Sequence, residues 1–157
     1  MNRKMWEREM ERIEREQRQA FEDNLTRKGI FFEHLTNDAK AVSLKQRWLR
    51  TFARDANISG IFTEQFMWHI FSYERVMCYT EEEATQRFHE KRKKVCYLLF
   101  QHADDAYVLK NPQAFTADDL CDYNDVYVVD EFFSWTYVLT HEGDCGPYFC
   151  VAKKESV

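Results

Sequence analysis

The sequence predicts an α+β fold, with a mostly antiparallel sheet, two or three packed helices and a long charged N-terminal helix. Helical patterns fill the first 90 or so of the 157 residues and strand patterns the rest, an order typical of α+β domains. Aromatic residues make up 16% of the chain, which supplies a large core for a small domain. We expect two parts, a charged helical arm over residues 1–28 and a single α+β domain over residues 29–157.

The arm is predicted as one helix from residue 1 to about residue 26. Arg and Glu dominate it, and both favour helices. Trp6, Met10 and Ile13 recur at spacings of four and three, which places them on one face as an apolar seam. Two interpretations stay open at this point: the seam docks on its own domain, or it contacts a second copy or another partner.

The remaining elements follow from capping and apolar patterns. Capping-box spacing predicts two helices, one from Ser43 to about Arg54 and one from Thr80 to about Lys91. The aromatic stretch 66–73 fits either a strand or a helix, and residues 116–119 predict a short helical turn. Apolar runs predict strands at residues 30–35, 95–100, 107–109, 126–129, 135–140 and 148–152.

Negative charge is concentrated in residues 101–150, which hold ten carboxylates and a single base, Lys110. Such a segment repels phosphate backbones, so we expect no direct nucleic-acid binding. It suits a basic protein partner or a bound cation, because opposite charges steer association. The alternative is an ordinary solubilising face.

Tyrosine and tryptophan side chains share this acidic segment, and these residues anchor many interfaces. The sequence therefore predicts a partner-binding surface. Its candidate residues are Asp104, Asp105, Asp118, Asp119, Asp130, Glu131, Trp135, Tyr137 and Glu142. The alternative is that the aromatics form the core face of the sheet and the acids its turns.

Three histidines, His69, His102 and His141, lie in or beside the apolar segments and are the candidate catalytic residues. Together with Asp104, Asp105 and Glu142 they could support general acid–base or metal-assisted hydrolysis. Their spacing matches no known metal or catalytic motif, and a His beside an acid is commonly a structural residue. We therefore expect no metal and no cofactor.

Five cysteines, an odd number without a CxxC motif, are typical of reduced thiols. The charged N-terminus does not resemble a secretory signal. The apolar runs fall far short of the roughly 18 residues that a membrane span needs. We expect a cytoplasmic protein that does not contact a membrane.

A series of segments in residues 29–150 resembles a family of small uncharacterised proteins of Bacillus-type bacteria and their mobile elements, known as a domain of unknown function. The segments are WHIFSY (68–73), CY (96–97), QHADDA (101–106), TADDL (116–120), VYVVD (126–130), WTYV (135–138), THE (140–142) and GPYF (146–149). The resemblance implies an intracellular bacterial protein and no established activity.

These observations favour a binding module over an enzyme. We expect an inhibitor or immunity-type protein, toxin-neutralising or directed by a phage or mobile element against its host, that engages a basic protein. Two alternatives are a metal-dependent or His/carboxylate hydrolase, and a structural subunit that forms homodimers through residues 1–26.

Overall fold

An antiparallel seven-stranded sheet lies between two helical layers in the computed structural model, which describes residues 2–36, 38–53, 67–72 and 76–153. The α+β prediction is confirmed. The strands are β1 (Phe31–Leu35), β2 (Tyr79–Thr80), β3 (Val95–Phe100), β4 (Ala106–Lys110), β5 (Val126–Asp130), β6 (Trp135–Leu139) and β7 (Tyr148–Val151). Their order across the sheet is β1-β4-β3-β5-β6-β7-β2, with antiparallel neighbours throughout.

Four helices and one 3-10 helix flank the sheet among the described residues. They are α1 (Arg3–Arg27), α2 (Asp38–Phe52), α3 (His69–Ser72), α4 (Glu81–Glu90) and the 3-10 helix (Ala117–Leu120). The helix α1 ends where Gly29 adopts φ 71°, a left-handed conformation that glycine tolerates, and the chain turns back into β1.

Both faces of the sheet are covered, which explains the nearly continuous apolar runs in its strands. Along β5, Tyr127 and Val129 point into a core shared with α2 and α3. Val126 and Val128 point into the opposite core, which includes side chains from α1, α4 and the 3-10 helix. Successive side chains of a strand alternate in this way, so one strand supplies both cores.

The core beneath α2 is organised around Trp48, which is fully buried. Its ring meets Tyr127 edge-on at 5.1 Å, and its Nε1 donates to Thr136 Oγ1 at 2.9 Å. The Thr136 hydroxyl in turn donates to the Val128 carbonyl at 2.8 Å. These buried polar groups therefore have hydrogen-bond partners, as a stable core requires.

The opposite core is dominated by aromatic contacts. Phe88 of α4 stacks on Tyr137 with ring centroids 4.4 Å apart, and Phe21 of α1 meets Tyr107 edge-on at 5.3 Å. Leu25 is also fully buried here. The C-terminal half of α1 is thus part of the core, as expected if the arm docks on its own domain.

The structure differs from the sequence prediction at α2. This helix begins at Asp38 rather than at Ser43, so Ser43 lies inside the helix and does not cap it. Ala39, Lys40 and Ala41 favour helix strongly enough to extend it upstream of the apparent capping box. Within the ambiguous stretch 66–73, residues 69–72 form the short helix α3, and residues 66 and 73 lie outside the described residues.

Candidate functional site

Three loops meet at one end of the sheet because the strands that they connect are antiparallel neighbours. Phe100 pairs with Val126, Val126 with Leu139, and Val138 with Tyr148. Loops 101–105, 121–125 and 140–147 therefore lie side by side. We call this the acidic end, because its loops carry Asp104, Asp105, Asp122, Asp125, Glu142 and Asp144.

The opposite end of the sheet has the reverse charge. The chain enters β3 there through four consecutive bases, and β4 ends there at Lys110, the register partner of Val95. The four bases are Lys91, Arg92, Lys93 and Lys94. Asp130 and Glu131 of the β5–β6 turn also lie at this end, so among the described loop residues acids predominate at one end of the sheet and bases at the other.

The helix α1 crosses the acidic end and extends past it. The side-chain amide of Gln17 donates to the main-chain carbonyl of Asp122, and Arg18 Nη2 lies 3.4 Å from Asp105 Oδ2. Because a helix rises 1.5 Å per residue, the chain from Gln17 back to Arg3 continues for about 21 Å. The N-terminal half of α1 therefore projects beyond the sheet.

The angle between α1 and the acidic end contains an open cavity of about 330 Å³. Its walls include Arg18 and Tyr123, with His102 and Asp105 at the β3–β4 turn. His34 contacts the same carboxylate, with its Nε2 2.6 Å from Asp105 Oδ2. Asp105 thus serves mainly to join α1 and β1 to the β3–β4 turn.

The projecting part of α1 exposes the apolar seam that the sequence predicts. Trp6, Met10 and Ile13 are 56%, 38% and 43% exposed. Helical spacing places Ile13 and Met10 one and two turns before Gln17 on the same face. Since Gln17 contacts the acidic end, we infer that the exposed seam borders the space beyond that end.

Asp125 is a buried carboxylate at the acidic end, only 5% exposed and held at φ 56° just before β5. It accepts hydrogen bonds from Trp68 Nε1 at 2.9 Å and from His141 Nδ1 at 2.9 Å. It also accepts from the main-chain N–H of His141 at 3.2 Å. This carboxylate therefore ties α3 and the β6–β7 loop to the sheet.

The three candidate histidines gather around Asp125. His102 Nε2 lies 4.0 Å from Asp125 Oδ2, and His141 contacts the carboxylate directly. His69 adjoins Trp68, the indole that donates to Asp125, with ring centroids 4.4 Å apart. Asp125 itself was not singled out by sequence reasoning, since nothing in its local sequence separates it from nine other carboxylates in the segment.

Burial and charge act differently on two of these histidines. The hydrogen bond that His141 donates to the Asp125 carboxylate raises the pKa of His141, and the nearby Glu142 carboxylate, 3.5 Å from Nε2, acts in the same direction. Burial lowers the pKa of His69, with His141 adding to the effect and the neighbouring carboxylates opposing it. The two environments therefore move the pKa values of His69 and His141 in opposite directions.

No set of three or more His, Cys, Asp or Glu side chains within the described parts of the chain is arranged to hold a metal ion. The His–Asp cluster can hold and move protons at His141 and His69. It can also fix the position of three loops, because each contact joins different elements.

The predicted partner-binding acids are distributed over three places. Asp104, Asp105 and Glu142 lie at the acidic end, whereas Asp130 and Glu131 lie at the opposite end. Asp118 and Asp119 belong to the 3-10 helix, where Lys28 and Asn24 hold the Asp119 carboxylate. Asp130 accepts hydrogen bonds from Ser134 and closes the β5–β6 turn.

The two predicted aromatic anchors do not lie on a surface. Trp135 and Tyr137 are only 4% and 1% exposed, and both belong to the core between the sheet and α4. A sheet covered on both faces buries side chains on both sides of β6. The alternative interpretation, in which these aromatics are core residues, is the one that the structure supports.

Comparison with known families adds one result. A family model described as Domain of unknown function (DUF4275) matches residues 2–149, and the chain belongs to this family. The match includes the arm, whereas the resemblance seen in the sequence covered only residues 29–150. The arm and the sheet are therefore both parts of the family domain.

No curated protein and no solved structure matches the chain. None of the helices in the described ranges is both long enough and apolar enough to cross a membrane.

Proposed function

We propose that this protein is a binding module whose acidic end engages a basic protein partner. The observation that carries the proposal is the meeting of three carboxylate-bearing loops at one end of the sheet, while four consecutive bases lie at the other. A surface of one charge sign attracts an oppositely charged partner over several ångströms and raises the rate of association.

The exposed carboxylates, rather than the buried one, would meet the partner. Asp104, Asp122, Glu142 and Asp144 are exposed, whereas Asp125 is already paired with His141. Exposed carboxylates can form ion pairs with Arg or Lys of a partner without first breaking contacts of the core. Arg is the better match because its planar group binds a carboxylate through two hydrogen bonds.

Within this class we propose an inhibitor or immunity-type role, toxin-neutralising or directed by a phage or mobile element against a host protein. Such proteins act by covering a functional surface of their target, which requires shape and charge but no catalytic group. The small size, the polarised charge and the family resemblance support this role. We propose the bacterial cytoplasm as its setting, in a Bacillus-type cell.

The test is capture of partners from a lysate of cells that encode the protein, with full-length wild-type protein and two charge-reversed variants. Asp104→Lys/Glu142→Lys alters the acidic end. Asp118→Lys/Glu131→Lys makes the same change in charge elsewhere on the molecule. We expect one basic protein to be held by the wild type and the second variant, and lost by the first.

Association kinetics of that purified pair provide the quantitative test. The on-rate should fall steeply as salt rises from low to physiological concentration, because exposed charges are screened within about 8 Å at 0.15 M. Equal capture by both variants, together with an on-rate that salt does not change, would contradict the proposal.

A second candidate function is hydrolysis by the His–Asp cluster, favoured by the gathering of His69, His102 and His141 around Asp125. The Asp125–His141 pair could orient an imidazole as a general base. Phosphodiester and peptide substrates would be assayed with wild type, His141→Ala and a His89→Ala control on α4. Activity lost only in His141→Ala would support this function; activity shared by all three would indicate a contaminant.

A further inference from the structure

The exposed seam of α1 has the spacing of a helix-pairing surface. Trp6, Met10 and Ile13 occupy alternating core positions of a heptad pattern, and Gln17 occupies the next one. Gln17 is the point at which the seam reaches the acidic end, through its hydrogen bond to Asp122. About three turns of apolar helix surface therefore remain exposed beyond the sheet.

Glutamates border this seam on both sides. Glu7 and Glu14 directly follow Trp6 and Ile13, and Glu9 and Glu16 directly precede Met10 and Gln17. In a pair of helices these flanking positions face the flanking positions of the other helix. Two copies of this helix, parallel or antiparallel, would therefore place glutamate against glutamate. Like charges at these positions select against self-pairing.

The arginines of α1 do not cancel this selection against self-pairing. Arg12 is bonded to Glu9 and, at 2.7 Å, to Glu16, while Arg3 Nε lies 3.0 Å from Glu7 Oε1. All of these side chains are well exposed, and exposed ion pairs stabilise a helix only slightly. A partner's Lys or Arg can replace them at little cost in stability.

We propose that the N-terminal half of α1 is the docking surface for an amphipathic helix of the partner, whose apolar seam is flanked by Lys or Arg. The proposal rests on the proposed function and adds the structural element that the partner contributes. The apolar side of the partner helix would cover Trp6, Met10 and Ile13, with Trp6 as the main anchor. Its cations would meet the flanking glutamates and, at the acidic end, the exposed Asp122.

The first test uses a fluorescently labelled synthetic helix of three heptads, with Leu at the seam positions and Lys at the flanking positions. Binding to full-length protein is followed by fluorescence anisotropy. We expect Trp6→Ala to weaken binding about tenfold or more, since a buried Trp anchor commonly carries at least that factor. Met10→Ala should weaken it several-fold.

Met5→Ala is the matched control for Met10→Ala. Both methionines are exposed, at 55% and 38%, but five residues of helix place them on different faces. Met5→Ala should leave binding unchanged. A peptide with Glu in place of Lys should not bind, and circular dichroism should show the same helix content in all the variants.

The outcomes distinguish the proposal for the α1 docking surface from the proposed function of the acidic end. Weakening by Trp6→Ala and Met10→Ala but not by Met5→Ala supports the proposed surface. Wild-type affinity in both Trp6→Ala and Met10→Ala overturns it, and the proposed function still stands if Asp104→Lys/Glu142→Lys loses the captured partner. Sedimentation of the protein alone should show a monomer; a dimer abolished by Trp6→Ala would assign the seam to a second copy and overturn the proposal.

Discussion

Lys28 and Asp119 form an ion pair, with Nζ 2.7 Å from Oδ2, that attaches the C-terminal end of α1 to the 3-10 helix. Asp119 also accepts hydrogen bonds from Asn24 Nδ2 at 2.8 Å and from the main-chain N–H of Thr116 at 2.8 Å. One carboxylate thus joins the C-terminal end of α1 to the 3-10 helix, 91 residues after Lys28 and 95 after Asn24. This contact helps to set the direction in which the arm projects.

Replacing Asp119 should weaken the fold. Asp119→Ala leaves Lys28, Asn24 and the Thr116 amide without this partner, so we expect a loss of about 2 kcal/mol in the free energy of unfolding, the usual range for hydrogen bonds to a charged group. Asp118→Ala, an exposed neighbour, should change it by less than about 0.5 kcal/mol. Urea unfolding at neutral pH measures both, and equal losses would contradict the assignment.

The Asp119 contact should also contribute to acid sensitivity. Burial tends to raise the pKa of Asp119, but the hydrogen bonds from Lys28, Thr116 and Asn24 outweigh it and lower the pKa below the usual carboxyl value. The stabilisation is therefore complete above the ordinary carboxyl pKa and is lost as pH falls through the lower, folded value. Asp119→Asn should flatten the curve of stability against pH in this acidic range. The same slope in wild type and Asp119→Asn would contradict this prediction.

The contribution of His141 to stability should depend on pH in the opposite sense to that of Asp119. Its pKa is raised by the hydrogen bond that it donates to Asp125, so its contribution to stability is complete below the ordinary imidazole pKa of about 6.5 and is lost as pH rises through the folded value. Nuclear magnetic resonance titration should show a pKa for His141 above that of His69. His141→Gln should remove the corresponding slope in stability, whereas His89→Gln should leave it in place.

The buried Thr136 hydroxyl should be required for a stable core. Thr136→Val keeps the shape but leaves Trp48 Nε1 and the Val128 carbonyl without this hydroxyl, so we expect a loss of about 1–3 kcal/mol. Thr26→Val on the exposed face of α1 is the control and should change stability by less than about 0.5 kcal/mol. Thermal unfolding of both variants measures the difference, and similar values for the two would refute the role of the hydroxyl.

The cysteines should differ in their reaction with a thiol reagent. Burial raises the pKa of Cys96 and Cys150 to about 12 and that of Cys78 to about 11, which leaves little thiolate at pH 8. Cys121 is exposed and should react first in the native protein. Counting the thiols that react before and after unfolding tests this order, and Cys121→Ser should remove the fast phase.

Local patterns determined much of the fold. The charged repeat of α1 and its end before Gly29 depend on neighbours three and four residues apart, so they are visible in the sequence. The apolar run over residues 126–129, rich in β-branched valine, likewise predicts a strand whatever the rest of the chain does. Ser43 misled the prediction because a capping pattern is short and the preceding residues also favour helix.

Tertiary structure alone decided the composition of the candidate site. Asp104 and Asp130 are similar residues in one acidic segment, and strand direction sends them to opposite ends of the sheet. Trp135 and Tyr137 become core residues because helices cover both faces of the sheet. Asp125 becomes the centre of the histidine cluster because His141 and Trp68, 16 and 57 positions away in the chain, fold against it. The sequence by itself determined most of the helices and strands, since these depend largely on near neighbours. Which carboxylates stay exposed and which are buried depends on contacts between distant segments, and only the packed structure creates those.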